Sequence, residues 1–294
     1  MRCDLHVHTV HSGHCTLPGL RRVCRESYSP PGELYRRLRQ RGMDLVTVTD
    51  HDSIAAADDL GGRFDFFLSE EVTCRLPSGT EAHLGVYDIT PGQHVQIQAR
   101  RDDLPRLGAY LREQRIFTAV NHIGSALTGR RRMDDYTWLA AVAAGFETRN
   151  GHVPPRNNAL AESLARYWNK IALGGSDSHS LRGAGRTWTR VPGARNREEF
   201  LRGLRAGRGI PEGEHGSAWK LAAGIFDVSR GMTVASPATW LLMPLASLIP
   251  LVALGNDLAE LGWARYWSAR LRRHARSLPA PANTTADFDT VGAA

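Results

Sequence analysis

Lysine is nearly missing from this chain. Of its 37 Lys+Arg residues only Lys170 and Lys220 are lysines, so the net charge of +7 rests on arginine. That balance suits anionic partners such as phosphorylated metabolites, nucleic acid or a lipid surface, and selects none of them. Arginine usage follows genome composition as readily as it follows phosphate recognition. Cysteine is also scarce. Cys3, Cys15, Cys24 and Cys74 form no C-x-x-C pair, and a chain of this size needs no disulfide staples, so reduced thiols in a cytoplasmic setting are expected. Cys15 reads as an incidental neighbour of His14. No apolar export segment fits before Asp4, so the folded part is expected to stay inside the cell. There is no glycine-rich phosphate loop, no internal repeat and no interleaving of aromatics that would mark a nucleic-acid stacking groove.

The 294 residues, 42% hydrophobic and 23% charged, suffice for one large globular domain with an appendage or for two smaller ones. The chain opens with "DLHVHTVHSGH", residues 4 to 14, where Asp4, His6, His8, His11 and His14 crowd together. On a strand, side chains alternate between faces, so His6 and His8 point the same way and can grip one ion together.

Short apolar runs rich in β-formers recur at 3–8, 44–50, 64–73, 82–89, 117–122, 145–150 and 171–179. Helix-like segments at 31–42, 102–115, 134–143 and 157–170 separate several of them. The alternation predicts right-handed βαβ units and a mostly parallel sheet. About seven such strands without a phosphate loop predict a barrel rather than an open doubly wound sheet. Most runs end in a residue able to bind metal or do chemistry: His6 and His8, Asp50 and His51, Glu71, His122, Glu147, Asp177 and His179. His83, near the start of its run, is the exception. In a β/α barrel such strand ends converge on one face.

After His215 the texture changes. Residues 231–256 carry no charge and precede a basic, amphipathic-looking helix holding Trp263 and Trp267. The stretch has the ~20-residue length of a membrane span, but Pro237, Pro244 and Pro250 interrupt it. Three readings stand together: a helical hairpin packed on the barrel, a membrane-surface or re-entrant anchor, and an oligomer contact through residues 231–276. The stretch from Pro279 onward reads as a disordered tail.

Seven histidines (His6, His8, His14, His51, His83, His122, His179) with Glu71 and Asp177 are more donors than one ion needs. Mixed imidazole and carboxylate donors suit zinc, manganese or iron. Two or three ions sharing a bridging carboxylate is the economical arrangement. The stretches "DLHVHT", "TDHDS", "EVT", "HLGVY", "NHIG" and "GSDSH", in this order, resemble the successive motifs of the PHP (polymerase and histidinol phosphatase) family over residues 1 to about 215.

The resemblance implies an α/β fold, a distorted (β/α)7 barrel of the PHP type, here with a C-terminal helical extension. The expected divisions are a PHP domain at 1–215, an apolar and amphipathic extension at 216–278 and the tail at 279–294. It further implies that His6, His8, Glu71 and Asp177 hold one ion, with Glu71 bridging to a second held by His83 and His122. His14, His51 and His179 would hold the third. Many relatives have aspartate where this chain has His14, which makes it similar to the fully trinuclear members. Glu71, rather than Glu70, occupies the motif position before "VT". His11, His94 and His274 read as surface histidines, and His152 and His215 as loop residues within reach of the barrel mouth.

Two or three divalent ions (Mn, Fe or Zn) serve phosphoester hydrolysis by polarising a phosphoryl oxygen and activating a bridging water. Asp177, His179 and His152 are the candidate catalytic groups, with Arg149, Arg182 and Arg186 as candidate clamps on a non-reacting phosphate. The expected substrate is a small phosphomonoester or the terminal phosphate of a nucleotide or short nucleic acid. Histidinol phosphatase is one rival. A nuclease or proofreading module is a second, and a non-catalytic phosphate-binding or membrane-tethered module a third. The expected location is cytoplasmic, including the inner face of the membrane.

Overall fold

The protein is represented by a computed structural model that describes residues 1–15 and 23–277; the tail expected from Pro279 lies outside the described residues. Among the described residues there are eight strands: β1 (Arg2–Cys3), β2 (Ser69–Arg75), β3 (Glu81–Tyr87), β4 (Phe117–Val120), β5 (Gly145–Asn150), β6 (Ile171–Gly175), β7 (Thr187–Arg190) and β8 (Ile210–Gly213). The helices are α1 (Pro31–Gln40), α2 (Ala57–Leu60), α3 (Pro91–Gln98), α4 (Leu104–Glu113), α5 (Met133–Val142), α6 (Pro155–Tyr167), α7 (Arg197–Arg205), α8 (Ala218–Ala235) and α9 (Ile249–Ser277), with a 3-10 segment at Pro237–Leu248. Local chemistry starts several of them. Proline occupies the first turn of α1, α3, α4 and α6, where its missing N–H costs nothing. Thr90, Asp103, Asn196 and Ser217 cap α3, α4, α7 and α8, each satisfying an otherwise orphaned N–H.

The ladders form two sheets, ordered β2-β3-β4-β5-β6 and β1-β7-β8. The expected mostly parallel sheet is mixed instead, with β4-β5-β6 parallel and β2-β3-β4 antiparallel. The five residues between β2 and β3, "LPSGT", are too few for a crossover and make a hairpin turn in which Gly79 takes φ +84°, a conformation glycine adopts freely. The runs at 3–8 and 44–50 are not long strands. They join their neighbours through single bridges, Val7 to Ser178, Val46 to Phe66 and His51 to Glu71. No continuous ladder closes a barrel among the described residues.

Even so, residues 4–8 lie between 44–50 and the end of β6. Thr49 N–H donates to Val7 O (2.9 Å), Asp177 N–H to His6 O (2.7 Å) and His8 N–H to Ser178 O (3.1 Å). The approach is close enough that a Cβ on Gly175 would sit 2.4 Å from the His6 Cβ, which explains glycine before "SDSH".

The largest core group joins Val72, Leu84, Phe146 and Leu160 to residues of α4, α5 and α6, and takes in Trp267 and Leu271 of α9. Thus the second half of α9 is part of the main core. Its buried positions, Ile249, Ala253, Glu260, Ala264, Trp267 and Leu271, recur at helical spacing and form one inward stripe.

Candidate metal centre

Glu71 is the hub. It is fully buried on β2, and its two oxygens address different histidines. Oε2 lies 3.1 Å from His6 Nε2, 3.4 Å from His8 Nε2 and 3.3 Å from His51 Nε2; Oε1 lies 3.2 Å from His83 Nδ1 and 3.3 Å from His122 Nε2. Glu70, on the opposite face of the strand, instead meets His94 Nδ1 at 2.9 Å and accepts from Gln98. Alternation along β2 therefore separates the two carboxylates, and His94, expected at the surface, is held by buried Glu70. Thr73 pairs with His83 across the ladder. Since β3 runs antiparallel, the start of β3 lies beside the end of β2, so His83 reaches the cluster from the start of its run.

On the other side, Asp177 Oδ1 lies 3.4 Å from both His6 Nε2 and His8 Nε2, and 3.9 Å from His179 Nδ1. Asp177 and His122 have φ of +53° and +32°, left-handed backbone that costs a non-glycine residue energy and concentrates at functional sites. Hydrogen bonds hold both: Asp177 N–H to His6 O and His122 N–H to Glu147 Oε2, each 2.7 Å.

Four triads have donor atoms mutually within 4.8 Å: His6, His8 and Asp177; His6, Glu71 and His122; His51, Glu71 and His83; and His8, His51 and His179. Eight of the nine expected ligands are thereby brought together. His14 is the one left out. It is exposed and bridges antiparallel to Arg25, while Glu26 N–H donates to Gly13 O. Neighbouring residues on paired extended segments face opposite ways, so His14 and exposed Arg25 turn outward and Glu26 turns in. Glu26 Oε2 reaches to 3.5 Å from His51 Nε2. Burial, followed by the charges of Glu71 and Asp177, pushes its carboxyl up to about 8.

The surroundings orient the donors. Glu147 accepts from or pairs with His6 Nδ1 (3.0 Å), leaving Nε2 toward Glu71, and Asn150 Nδ2 donates to both Glu147 Oε2 (2.8 Å) and Asp177 Oδ2 (3.0 Å). Asn121 Nδ2 donates to Glu71 Oε1 at 2.9 Å. Asp4 and Asp50, counted among the polar residues near strand ends, serve the backbone instead. Asp4 accepts from the N–H of Ser176 and Gly185, and Asp50 accepts from the N–H and hydroxyl of Thr9.

Burial favours neutral forms of His8 and His51 and lowers both, His51 to about 4. Burial opposes the charged forms of Glu71 and Asp177 as well, yet the surrounding histidines, His6 foremost, hold both carboxyls well below the usual range. The buried atoms His8 Nε2, His51 Nδ1, His83 Nδ1 and Glu26 Oε2 lack hydrogen-bond partners. Such groups are costly inside a protein unless something satisfies them, and this mixed N/O set fits divalent zinc, manganese or iron.

Beside the cluster lies a cavity of about 280 Å³, walled by His152, Ser176, Ser180 and Arg186 and roofed by Trp219 and Gly224 of α8. The His152 ring stands 6.1 Å from that of His179, and burial lowers it to about 4. Arg182 also lines the cavity and holds the Asp227 carboxylate through two hydrogen bonds (2.8 and 2.9 Å), while Arg186 pairs with Glu214 (3.0 Å). Arg149 donates to Gly213 O instead. His215 meets Asn158 at 2.9 Å, so it supports the loop at 150–153 that Asn158 also bonds.

Residues 155–208, which include Asp177 and His179, match the PHP-associated family PHP_C. No curated protein sequence matches the chain. Among solved structures, the fold is similar to that of a two-domain protein from Bacteroides vulgatus containing a predicted PHP-like metal-dependent phosphoesterase. That pair shares 17% identity over 79% of this chain and 68% of the other, with a TM-score of 0.53. PsfC from Pseudomonas syringae (18% identity, 68% and 87% of the two chains, TM-score 0.49) and an amidohydrolase from Chromobacterium violaceum solved with sulfate and no metal (15%, 71% and 98%, 0.48) are further matches. The first likeness establishes a PHP-like α/β fold, which here carries the long C-terminal helix α9.

Proposed function

We propose that the chain is a PHP-family protein that hydrolyses a small phosphomonoester in a metal-dependent reaction, a reading supported by its PHP-like fold and its PHP-associated segment. One observation carries this reading: a single buried carboxylate, Glu71, presents one oxygen to His6, His8 and His51 and the other to His83 and His122. Glu71 would thereby help to hold more than one cation. His6, His8 and Asp177 would complete one position, His83 and His122 a second, and His51 with His179 a third, where Glu26 takes the place expected of His14.

Divalent ions bound there supply Lewis acidity and a water acidified toward neutral pH. The chain supplies the rest. Asp177 keeps Oδ2 on Asn150 and turns Oδ1 to the histidines, which fixes the orientation of its free lone pairs. His152, neutral at pH 7, presents an N–H to the leaving oxygen and holds it without adding charge. The cavity of about 280 Å³ beside His152 suits a small leaving group. Arg182 and Arg186, already steadied by Asp227 and Glu214, offer remaining N–H groups to a second anionic group of the substrate.

Elemental analysis of protein purified without chelators, coupled to phosphate release from nucleotides, sugar phosphates and histidinol phosphate, tests the reading. Two to three equivalents of manganese, iron or zinc with turnover on one substrate class are expected. Less than one equivalent, with no turnover after each metal is restored, would favour a binding module.

A further inference from the structure

We propose that the segment from Val234 to Leu258 docks the protein on an anionic lipid surface, in the plane of the interface rather than across it. The inference concerns where the molecule sits and is independent of the hydrolysis proposed above.

Its first support is an exposed apolar surface that the fold leaves uncovered. Leu241 is 86% exposed, and Val234, Trp240, Leu245, Leu251, Val252, Leu254 and Leu258 are each more than half exposed. Single exposed hydrophobes are ordinary, whereas a continuous set of this size marks an interaction surface. By length and composition the stretch Pro237–His274 is apolar enough to cross a bilayer. The packing of the C-terminal part of that stretch argues against crossing. Glu260 accepts from Ser125 Oγ (2.5 Å) and Ala126 N (3.1 Å), and Trp267 and Leu271 sit in the main core. The part of α9 so fastened offers only its outer side.

The second support is charge. From residue 231 to 274 the acidic residues are Asp257 and Glu260, and both are turned to the protein, Asp257 to Arg156 at 2.8 Å and Glu260 to Ser125 and Asn157. Arg265, Arg270, Arg272 and Arg273 are exposed on the outer side of the same helix. The outer face of α9 thus passes from apolar (Leu251 to Leu258) through Tyr266 to basic. With the segment lying in the interface, its apolar residues can enter the acyl boundary while the arginines farther along α9 meet anionic headgroups. A second copy of the chain would set these arginines against their own kind.

A third feature gives the docking a direction. One open groove is lined by His179, Arg182, Arg230, Val234 and Ala235. The mouth of the metal centre and the base of the apolar segment therefore share one side of the molecule.

Flotation of the full chain with vesicles tests the proposal without any substrate. The protein is expected to float with vesicles of phosphatidylcholine containing about three-tenths phosphatidylserine, and to lose at least about tenfold in recovery in high salt or without phosphatidylserine. The double variant Leu241→Glu/Leu251→Glu is expected to stay in solution with an unchanged melting temperature. Should it misfold, Arg270→Glu/Arg273→Glu reads the charge half of the same surface. No flotation of the wild-type chain on either vesicle overturns the proposal. So does a wild-type dimer that Leu241→Glu/Leu251→Glu converts to monomer without changing recovery.

Discussion

Glu147 Oε1 lies 3.0 Å from His6 Nδ1 while His6 Nε2 lies 3.1 Å from Glu71 Oε2, so one imidazole is gripped between two buried carboxylates. Glu147 accepts a hydrogen bond from Nδ1–H, which keeps the proton there and leaves the Nε2 lone pair free to ligate. In Glu147→Gln the amide donates to Nδ1 and forces the proton to Nε2. Metal affinity is expected to fall about 10–100-fold in chelator competition, with little change in far-UV circular dichroism. Unchanged affinity would mean that Glu147 does not orient His6.

Glu71→Gln tests the hub itself. An amide presents one acceptor oxygen where two are used, so metal content is expected to fall by at least one equivalent, with phosphate release lost. Without metal the variant is expected to be less stable than wild type near neutral pH, because it removes a charge that the surrounding histidines hold ionised against its desolvation cost. Asp177→Asn is expected to lose metal and activity together with the fold retained. Loss of fold with metal retained would contradict both expectations.

How far this site was legible in sequence depends on how each residue arrives. Alternation puts His6 and His8 on one face, while Glu71, His122, Asp177 and His179 join them as the ends of apolar runs and through the order of the motifs; in the structure Glu71 lies within β2 rather than at its end. His83 looked exceptional because a short turn reverses β3, a reversal written in "LPSGT" but overridden by the βαβ pattern elsewhere. Glu26 had no such signal: "RES" lies in no periodic segment, and only the return of the chain beside Gly13 turns it inward. Glu147 was visible as a polar strand end, but its orienting role appears only when His6 Nδ1 is seen beside it. The runs at 3–8 and 44–50 read as strands because their apolar pattern is that of strands. Their hydrogen bonds are spent on single bridges to both neighbours rather than on ladders.

His14 and Glu26 separate the two accounts of the third position. His14→Ala is expected to leave metal content and activity unchanged, because the ring is exposed and outside every triad. Glu26→Gln is expected to weaken the most loosely held ion, read as a lower stoichiometry after mild chelation. The opposite pattern would restore His14 as the ligand.

Trp267 tests how far α9 belongs to the catalytic body. The side chain is 2% exposed and meets Tyr136 edge-on at 4.8 Å between ring centroids. Trp267→Ala is expected to cost about 3–5 kcal/mol in denaturant unfolding. Removal of residues 237–277 is expected to yield an unstable, aggregating product, because it uncovers Tyr136 and the α6 face. A stable, active 1–236 fragment would show that the helix is an appendage.

His152 gives a pH signature that metal binding does not share. Its folded pKa of about 4 lies below the ordinary histidine value because burial disfavours the imidazolium. Between about pH 6.5 and 4 the unfolded chain therefore binds a proton that the folded chain refuses, so stability falls as pH is lowered through that window. The loss is at most about 3 kcal/mol, and less to the extent that water reaches the partly exposed ring. His152→Asn removes the titration. Its stability relative to wild type is expected to rise as pH drops from 6.5 to 4 in urea unfolding of metal-free protein, and to stay flat above pH 7. Parallel curves across the window would show that the ring is hydrated and free to protonate, and would remove it as a neutral hydrogen-bond donor to the leaving oxygen.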